Sequence, residues 1–126
     1  IPNGIPSLED RVRMFYTQGV EAGRIDLHRF VDAASTEPAR QFDMFPDKGT
    51  IQPGTDADLV VYDPDHEETI SAADHHMNID YNPFEGMTVK GKCSAVTVRG
   101  TVQVRDGEFV GETDIGRFVE RPPSEG

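Results

Sequence analysis

The stretch Lys48-Gly49-Thr50-Ile51-Gln52-Pro53-Gly54-Thr55-Asp56-Ala57-Asp58-Leu59-Val60-Val61-Tyr62-Asp63-Pro64 divides the chain into a helical part and a strand-rich part. From Gly49 the apolar period changes from helical to two, which predicts a short strand at Thr50-Ile51-Gln52. Pro53-Gly54-Thr55-Asp56 predicts a turn, because Gly accepts positive φ and Pro cannot continue a ladder. Leu59–Asp63 is a β-branched run that predicts a strand closed by Pro64. Downstream, Glu68-Thr69-Ile70 predicts a short edge strand. Residues 71–87 read as loop, with Asn82-Pro83 as a turn signal. Thr88–Lys90, Ala95–Arg99, Thr101–Arg105 and Glu108–Val110 predict four more strands. Gly100 joins the second and third of them, and Asp106-Gly107 joins the third and fourth as the strongest hairpin signal in the chain. The tail from Glu112 to Gly126 carries Pro122-Pro123 and reads as extended.

Upstream of Lys48 the pattern is helical. Residues 1–6, IPNGIP, hold two prolines and a glycine and predict a loop. Ser7 is the expected N-cap of a helix over 7–22, with Glu9 and Asp10 in its first turn and Leu8, Val12, Phe15 and Tyr16 as its apolar stripe. Gly23 is its expected C-cap. Asp26 opens a second helix with Leu27, Phe30, Val31 and Ala34 on its apolar face. Thr36 is the expected N-cap of a third, Pro38 sits early in it, and Ala39, Phe42, Met44 and Phe45 form its buried side. The Asp32–Ser35 link between these two helices reads as a kink. Helices followed by short strands predict an α+β chain, or two structural neighbourhoods.

Composition narrows the function. The chain has 126 residues, 12 Lys+Arg against 23 Asp+Glu, and a formal charge of −11. A field of that sign repels phosphates and argues against nucleic acid or an anionic membrane as partner. One cysteine excludes an intrachain disulfide framework and a cysteine-rich zinc site. No apolar run reaches the length of about 18–20 residues that a spanning helix needs. No signal peptide opens the sequence, and a reduced, cytoplasmic setting is expected. The chain starts at Ile1 and not at Met, which suggests that Ile1 is an internal position of a longer protein.

Catalytic motifs are sparse. His75-His76 is an adjacent pair with Asp74 and Asp80 nearby, but neighbouring residues on a strand point to opposite faces and cannot grip one ion together. Neither H-x-H nor H-E-x-x-H occurs, so loop histidines with local hydrogen bonds are the preferred reading; His28 and His66 read as surface or capping groups. Asp56 and Asp58 flank Ala57, and Asp56 reads as a turn cap bonded to its own backbone in preference to a catalytic acid. Cys93 stands near Lys90 and Lys92 without the surroundings of a nucleophile. Neither G-x-S-x-G nor a phosphate-binding glycine loop is present. Asn3 sits in a Pro/Gly-fixed loop just ahead of a helix, which holds a side chain as a binding site needs.

Taken with three other stretches, Lys48–Pro64 resembles a known family. It is similar to the K-G-T-I-x-x-G-x-D-A-D-L-V-V-x-D-P segment of the amidohydrolase superfamily. Asn3-Gly4-Ile5-Pro6-Ser7-Leu8-Glu9-Asp10-Arg11 resembles the loop after the last barrel strand of dihydropyrimidinases and D-hydantoinases. His75-His76-Met77-Asn78-Ile79-Asp80-Tyr81-Asn82-Pro83-Phe84-Glu85-Gly86-Met87 resembles their insertion in a small sandwich domain, and Gly116-Arg117-Phe118-Val119 their C-terminal tail. Together these cover the chain from about Ile1 to about Arg121.

The resemblance implies an α/β parent, a (β/α)8 barrel with a small β-sandwich, of which this chain is the C-terminal part. Residues 1–47 would be the end of the barrel, its last loop and C-terminal helices. Residues 48–111 would be the C-terminal share of the sandwich, and 112–126 an extended tail that packs on a neighbouring subunit of a tetramer or dimer. The implied activity is hydrolysis of the ring amide of dihydropyrimidines or hydantoins to N-carbamoyl amino acids. In the family two zinc ions, bridged by a carboxylated lysine, activate a hydroxide. Their ligands lie on earlier barrel strands, so no catalytic or metal-binding residue, and no bound zinc, is expected in this chain. Asn3 is the one substrate-binding residue that carries over. The alternative is a non-catalytic adaptor of the collapsin response mediator type, although Asn3 and Tyr81-Asn82-Pro83 resemble the enzyme branch. The isolated chain is expected to be poorly folded, because its apolar stripes and strand edges would lack partners; a sharp thermal transition of the monomeric chain would overturn this.

Overall fold

The computed structural model describes residues 3–121. Ile1, Pro2 and the Pro122-Pro123 pair of the expected tail lie outside the described residues. The elements run α1 (Arg11–Phe15), a π-helical continuation (Tyr16–Glu21), α2 (Leu27–Val31), a second π-helical segment (Asp32–Thr36), α3 (Glu37–Gln41), then strands β1 (Val60–Thr69), β2 (Thr88–Val98), β3 (Thr101–Arg105) and β4 (Glu108–Phe109). They group into two compact units: residues up to Asp26 with Asp63–Lys92, and Leu27–Tyr62 with the residues from Cys93 on.

In the first unit, helical structure begins at Arg11 and not after Ser7. The Ser7 N–H is already committed to the Ile5 carbonyl at 3.0 Å, a tight turn about Pro6, whose ring fixes φ. Asp10 takes the N-cap position, yet its carboxylate makes no capping bond and is drawn instead to other side chains. The helix ends as its glycines predict. Gly23 has φ +71° and donates to Val20 O at 3.0 Å. Tyr16, Ile70 and Val89 are the buried apolar side chains of this unit, whereas Leu8, expected in the stripe, is 79% exposed.

In the second unit the helical path from Leu27 to Gln41 is unbroken. The kink expected at Asp32–Ser35 falls in the π-helical segment, which widens the turn without leaving the helix. Thr36 holds the N-cap position of α3, as expected, but makes no side-chain capping bond. It has helical dihedrals, and its hydroxyl donates to Gly49 O at 2.7 Å. Phe30 and Ala39 are buried, but Phe42 and Phe45 are exposed, contrary to expectation. Each carries a guanidinium over its ring: Arg40 lies 4.8 Å from the Phe45 centroid and Arg121 5.9 Å from that of Phe42. The predicted strand at Thr50–Gln52 is absent. The Thr55 hydroxyl lies 3.3 Å from Thr50 O and 2.9 Å from Gln52 O, which curls this segment into bends.

The strands form one sheet of order β1-β2-β3-β4. β1 runs through Pro64 and absorbs the separate strand expected at Glu68–Ile70. It lies at the sheet edge, where a missing N–H is tolerated. Leu59 exchanges backbone bonds with Thr97 (2.8 and 3.3 Å), while Ile70 bonds Met87 (2.9 Å), so β1 and β2 run in opposite directions. β2 merges the strands expected at Thr88–Lys90 and Ala95–Arg99, with Gly91 at φ +86° as the joint. Both predicted hairpins are present. Arg99-Gly100 (φ +52° and +84°) and Asp106-Gly107 (φ +50° and +84°) have two consecutive positive φ values, the signature of the tight turn that matches strand twist. The β2–β3 register moves from Val96↔Val104 to Thr97↔Val102, which leaves Gln103 as the extra residue of a bulge.

Candidate functional site

Asn3 and Gly4 are exposed at the start of a loop that Pro6 and the Ile5–Ser7 bond stiffen. The loop closes at Leu8–Asp10, a turn whose two acidic residues both engage the 71–87 segment. Glu9 Oε2 accepts the His76 backbone N–H at 2.7 Å, and Glu9 Oε1 lies 2.7 Å from His76 Nδ1. Burial pushes the Glu9 carboxyl upward, but the side-chain and backbone bonds from His76 outweigh it and hold the group below its ordinary value.

Asp10 is completely buried, at 0% exposure. Its Oδ1 accepts from Arg13 Nε at 2.8 Å and from a second guanidinium nitrogen, and its Oδ2 accepts from Asn82 Nδ2 at 2.6 Å. Arg13 also pairs with Glu68 of β1. Asn82 Oδ1 accepts the Phe84 N–H at 2.9 Å, and Asn82 O accepts the Glu85 N–H at 3.1 Å. Asn82 therefore makes the predicted turn with its backbone and one side-chain atom, and grips Asp10 with the other. Both carboxylate oxygens of this buried acid are satisfied, as burial requires.

A third cluster lies in Lys48–Pro64. Lys48 Nζ is 2.9 Å from Asp56 and also pairs with Asp58. Spacing of two in extended backbone puts both carboxylates on one side, which is why the acids flank Ala57. Asp56 does not cap its own turn. Its N–H donates to Asp47 O at 2.9 Å, and its carboxylate goes to the lysine. Asp58 Oδ1 also accepts the Arg99 N–H at 2.8 Å, tying the motif to the β2–β3 turn. The bonds from Asp58 and then Asp56 raise the Lys48 pKa against burial, and Lys48, ahead of the Arg99 N–H, lowers that of Asp58. The two aspartates thus favour the ammonium form of Lys48.

The pH dependence of this cluster follows from those directions. Asp58, lowered on folding, adds stability above the ordinary carboxylate range that is lost as pH falls through its folded value. Lys48, raised on folding, adds stability below the ordinary lysine range that is lost as pH rises through its folded value. The groups are partly exposed, so the total is about 1 kcal/mol or less. Lys48→Met should unfold at a lower temperature than the native sequence near neutral pH. The gap should shrink in acid as the aspartates protonate, which thermal scans across pH will read; a gap that persists unchanged in acid contradicts this account.

The remaining candidates have structural partners. His75 Nε2 lies 2.8 Å from Ile79 O, and His66 Nε2 lies 3.1 Å from Glu68 Oε2. Cys93 is half-buried, and His28 is exposed. Among the described residues no three His, Cys, Asp or Glu side chains converge as metal ligands. Both loop histidines are aimed at protein acceptors, His75 at Ile79 O and His76 at Glu9. No helix among the described residues is long and apolar enough to cross a membrane. Sequence reading missed Asp10, Arg13 and Glu68 as a network, and the role of Lys48; the Asp-x-Asp spacing beside a lysine was the available signal.

The fold has counterparts in known proteins. The chain is 54% identical over 121 residues to a D-hydantoinase of Geobacillus stearothermophilus, covering 96% of this chain and 26% of that protein. Its structure superposes on a D-hydantoinase (dihydropyrimidinase) from a Thermus species with a TM-score of 0.93 at 60% identity, covering 98% of this chain and 27% of the other. An L-hydantoinase (dihydropyrimidinase) from Arthrobacter aurescens matches with a TM-score of 0.82 at 40% identity, over 86% of this chain and 24% of the other. The chain thus spans about a quarter of the length of these relatives. The profile of the amidohydrolase family, a metal-dependent family, matches residues 3–103, which takes in the Asn3 loop, the Lys48 cluster, β1, β2 and the start of β3. On this evidence the chain belongs to the amidohydrolase family.

Proposed function

We propose that this chain is a segment of a hydantoinase or dihydropyrimidinase, an enzyme that opens the ring amide of hydantoins or dihydropyrimidines to give N-carbamoyl amino acids. The observation that carries this reading is the 60% identity and TM-score of 0.93 to a D-hydantoinase over 98% of the chain. Relatives of both D- and L-hydantoinase name fit the same backbone, so the chain is common ground between them. We assign residues 1–47 to the end of a (β/α)8 barrel, 48–111 to a β-sandwich and 112–126 to a tail that contacts another subunit of a homo-oligomer. Two zinc ions, held by residues outside this chain, belong to the same proposal, as does a cytoplasmic setting. The adaptor alternative has no such support, since the relatives are named as hydantoinases.

Asn3 is the proposed substrate contact. A side-chain amide offers a donor and an acceptor, which complements the N–H and C=O of a cyclic diamide. Pro6 and the Ile5–Ser7 bond limit the motion of the loop that carries it, and so favour one orientation of the ring. In the full-length enzyme Asn3→Ala should lower kcat/KM for hydantoin or dihydrouracil by about tenfold, the worth of one or two lost hydrogen bonds. The thermal transition should not move, because Asn3 is exposed. Ring opening followed at 230 nm or by product chromatography measures this, and an unchanged kcat/KM would remove Asn3 from the site.

A further inference from the structure

The Leu8–Asp10 turn is held twice by one segment. The inner tie, Asp10 to Asn82, is buried and belongs to folding. The outer tie, Glu9 to His76, is at the surface, with the His76 side chain 79% exposed. An exposed pair of this kind adds little to stability. Yet it uses both Glu9 oxygens, one on the His76 ring and one on its backbone N–H. A two-point grip fixes orientation as well as distance.

Orientation at Glu9 carries back to Asn3. Between them lie Gly4, Ile5, Pro6, Ser7 and Leu8. Pro6 fixes one dihedral, and the Ser7-to-Ile5 bond closes the turn around it. Gly4, next to Asn3, stands in open space, with nothing within 4 Å of a Cβ built there. The turn about Pro6 is thus the stiffened part of the path between Glu9 and Asn3.

We propose that His76 is a positioning residue for substrate: by gripping Glu9 it sets the angle at which the loop presents Asn3. This rests on the reading of Asn3 as a substrate contact. The 71–87 segment then acts on the substrate loop through His76.

The test uses kinetics and thermal melting of the full-length enzyme. His76→Leu should raise KM about fivefold, the worth of one hydrogen bond, with kcat within about twofold and the melting transition in place. His76→Asn, which keeps a donor where Nδ1 stands, should restore KM. Glu9→Ala removes both points of the grip and should raise KM further. In an Asn3→Ala background His76→Leu should have no further effect on KM, as expected of a residue that acts through Asn3. An inert Asn3→Ala overturns the substrate reading and this proposal together. An active Asn3→Ala effect beside an inert His76→Leu overturns the positioning role alone. Additive effects in the double variant overturn it as well, and so does a loss in His76→Leu that tracks a lowered melting temperature.

Discussion

Asp10→Ala is expected to destabilise the full-length protein by about 3 kcal/mol, seen as a fall of about 5 °C or more in the apparent Tm. The substitution removes three hydrogen bonds at once. Arg13 loses the acid that holds two of its nitrogens, and Asn82, itself buried, is left with an unpaired amide. Glu68 remains to pair with Arg13, which limits the loss on that side. The buried amide has no such substitute, and an orphaned buried polar group carries its full desolvation cost. Asp10→Asn keeps acceptor capacity and should recover part of the loss. Limited proteolysis should follow the same order, because the 71–87 segment is held to the Leu8–Asp10 turn through Asn82. An Asp10→Ala protein that melts with the native one would show the network to be incidental.

Gly49→Ala should cost about as much for a different reason. Gly49 has φ +84°, where a side chain is strained by about 1 kcal/mol. A Cβ there would stand 2.6 Å from the Ala39 Cβ, 3.2 Å from Ser35 O and 3.2 Å from Thr36 Cα. None of these atoms can swing away: two are main chain, and Ala39 is buried with no rotamer to change. The Gly49 carbonyl would also be driven off the Thr36 hydroxyl, 2.7 Å away. Strain and overlap together are expected to reach about 3 kcal/mol. Gly54 supplies the control. Its φ is +93°, but nothing lies within 4 Å of its built Cβ, so Gly54→Ala should show the strain alone. Equal Tm losses for the two alanines would contradict the packing account.

The comparison with the sequence reading follows how local each signal is. Asp106-Gly107 and Gly100 were legible because few residues accept positive φ, and the turn type is then determined. Arg99, at φ +52°, was not legible as the first residue of its turn, since arginine carries no such preference. Pro64 was misread as a terminator because the rule against proline applies inside a sheet, and β1 is at an edge. Thr50–Gln52 has strand-forming residues, but the Thr55 hydroxyl gathers its carbonyls, and Ile51 ends 84% exposed. The Asp10–Asn82 bond joins positions 72 residues apart, so no local pattern announces it. Glu9 and Asp10 looked alike as first-turn acids, and only folding sends one to the surface and the other to the interior. Asn3 stood out by resemblance, with the proline-fixed loop as weak physical support.

The strand order also gives the sheet a direction of growth. β4 ends the sheet with two residues, Glu108–Phe109, too short to template a new strand. β1 ends it on the other side with ten, and Val60 and Val61 near its start are exposed. Among the described residues the longer open margin of the sheet is therefore that of β1. Pro64, in the middle of β1, has no N–H to give to any ladder. β1 therefore offers one donor fewer than its ten residues would otherwise carry, whichever strand lies beside it.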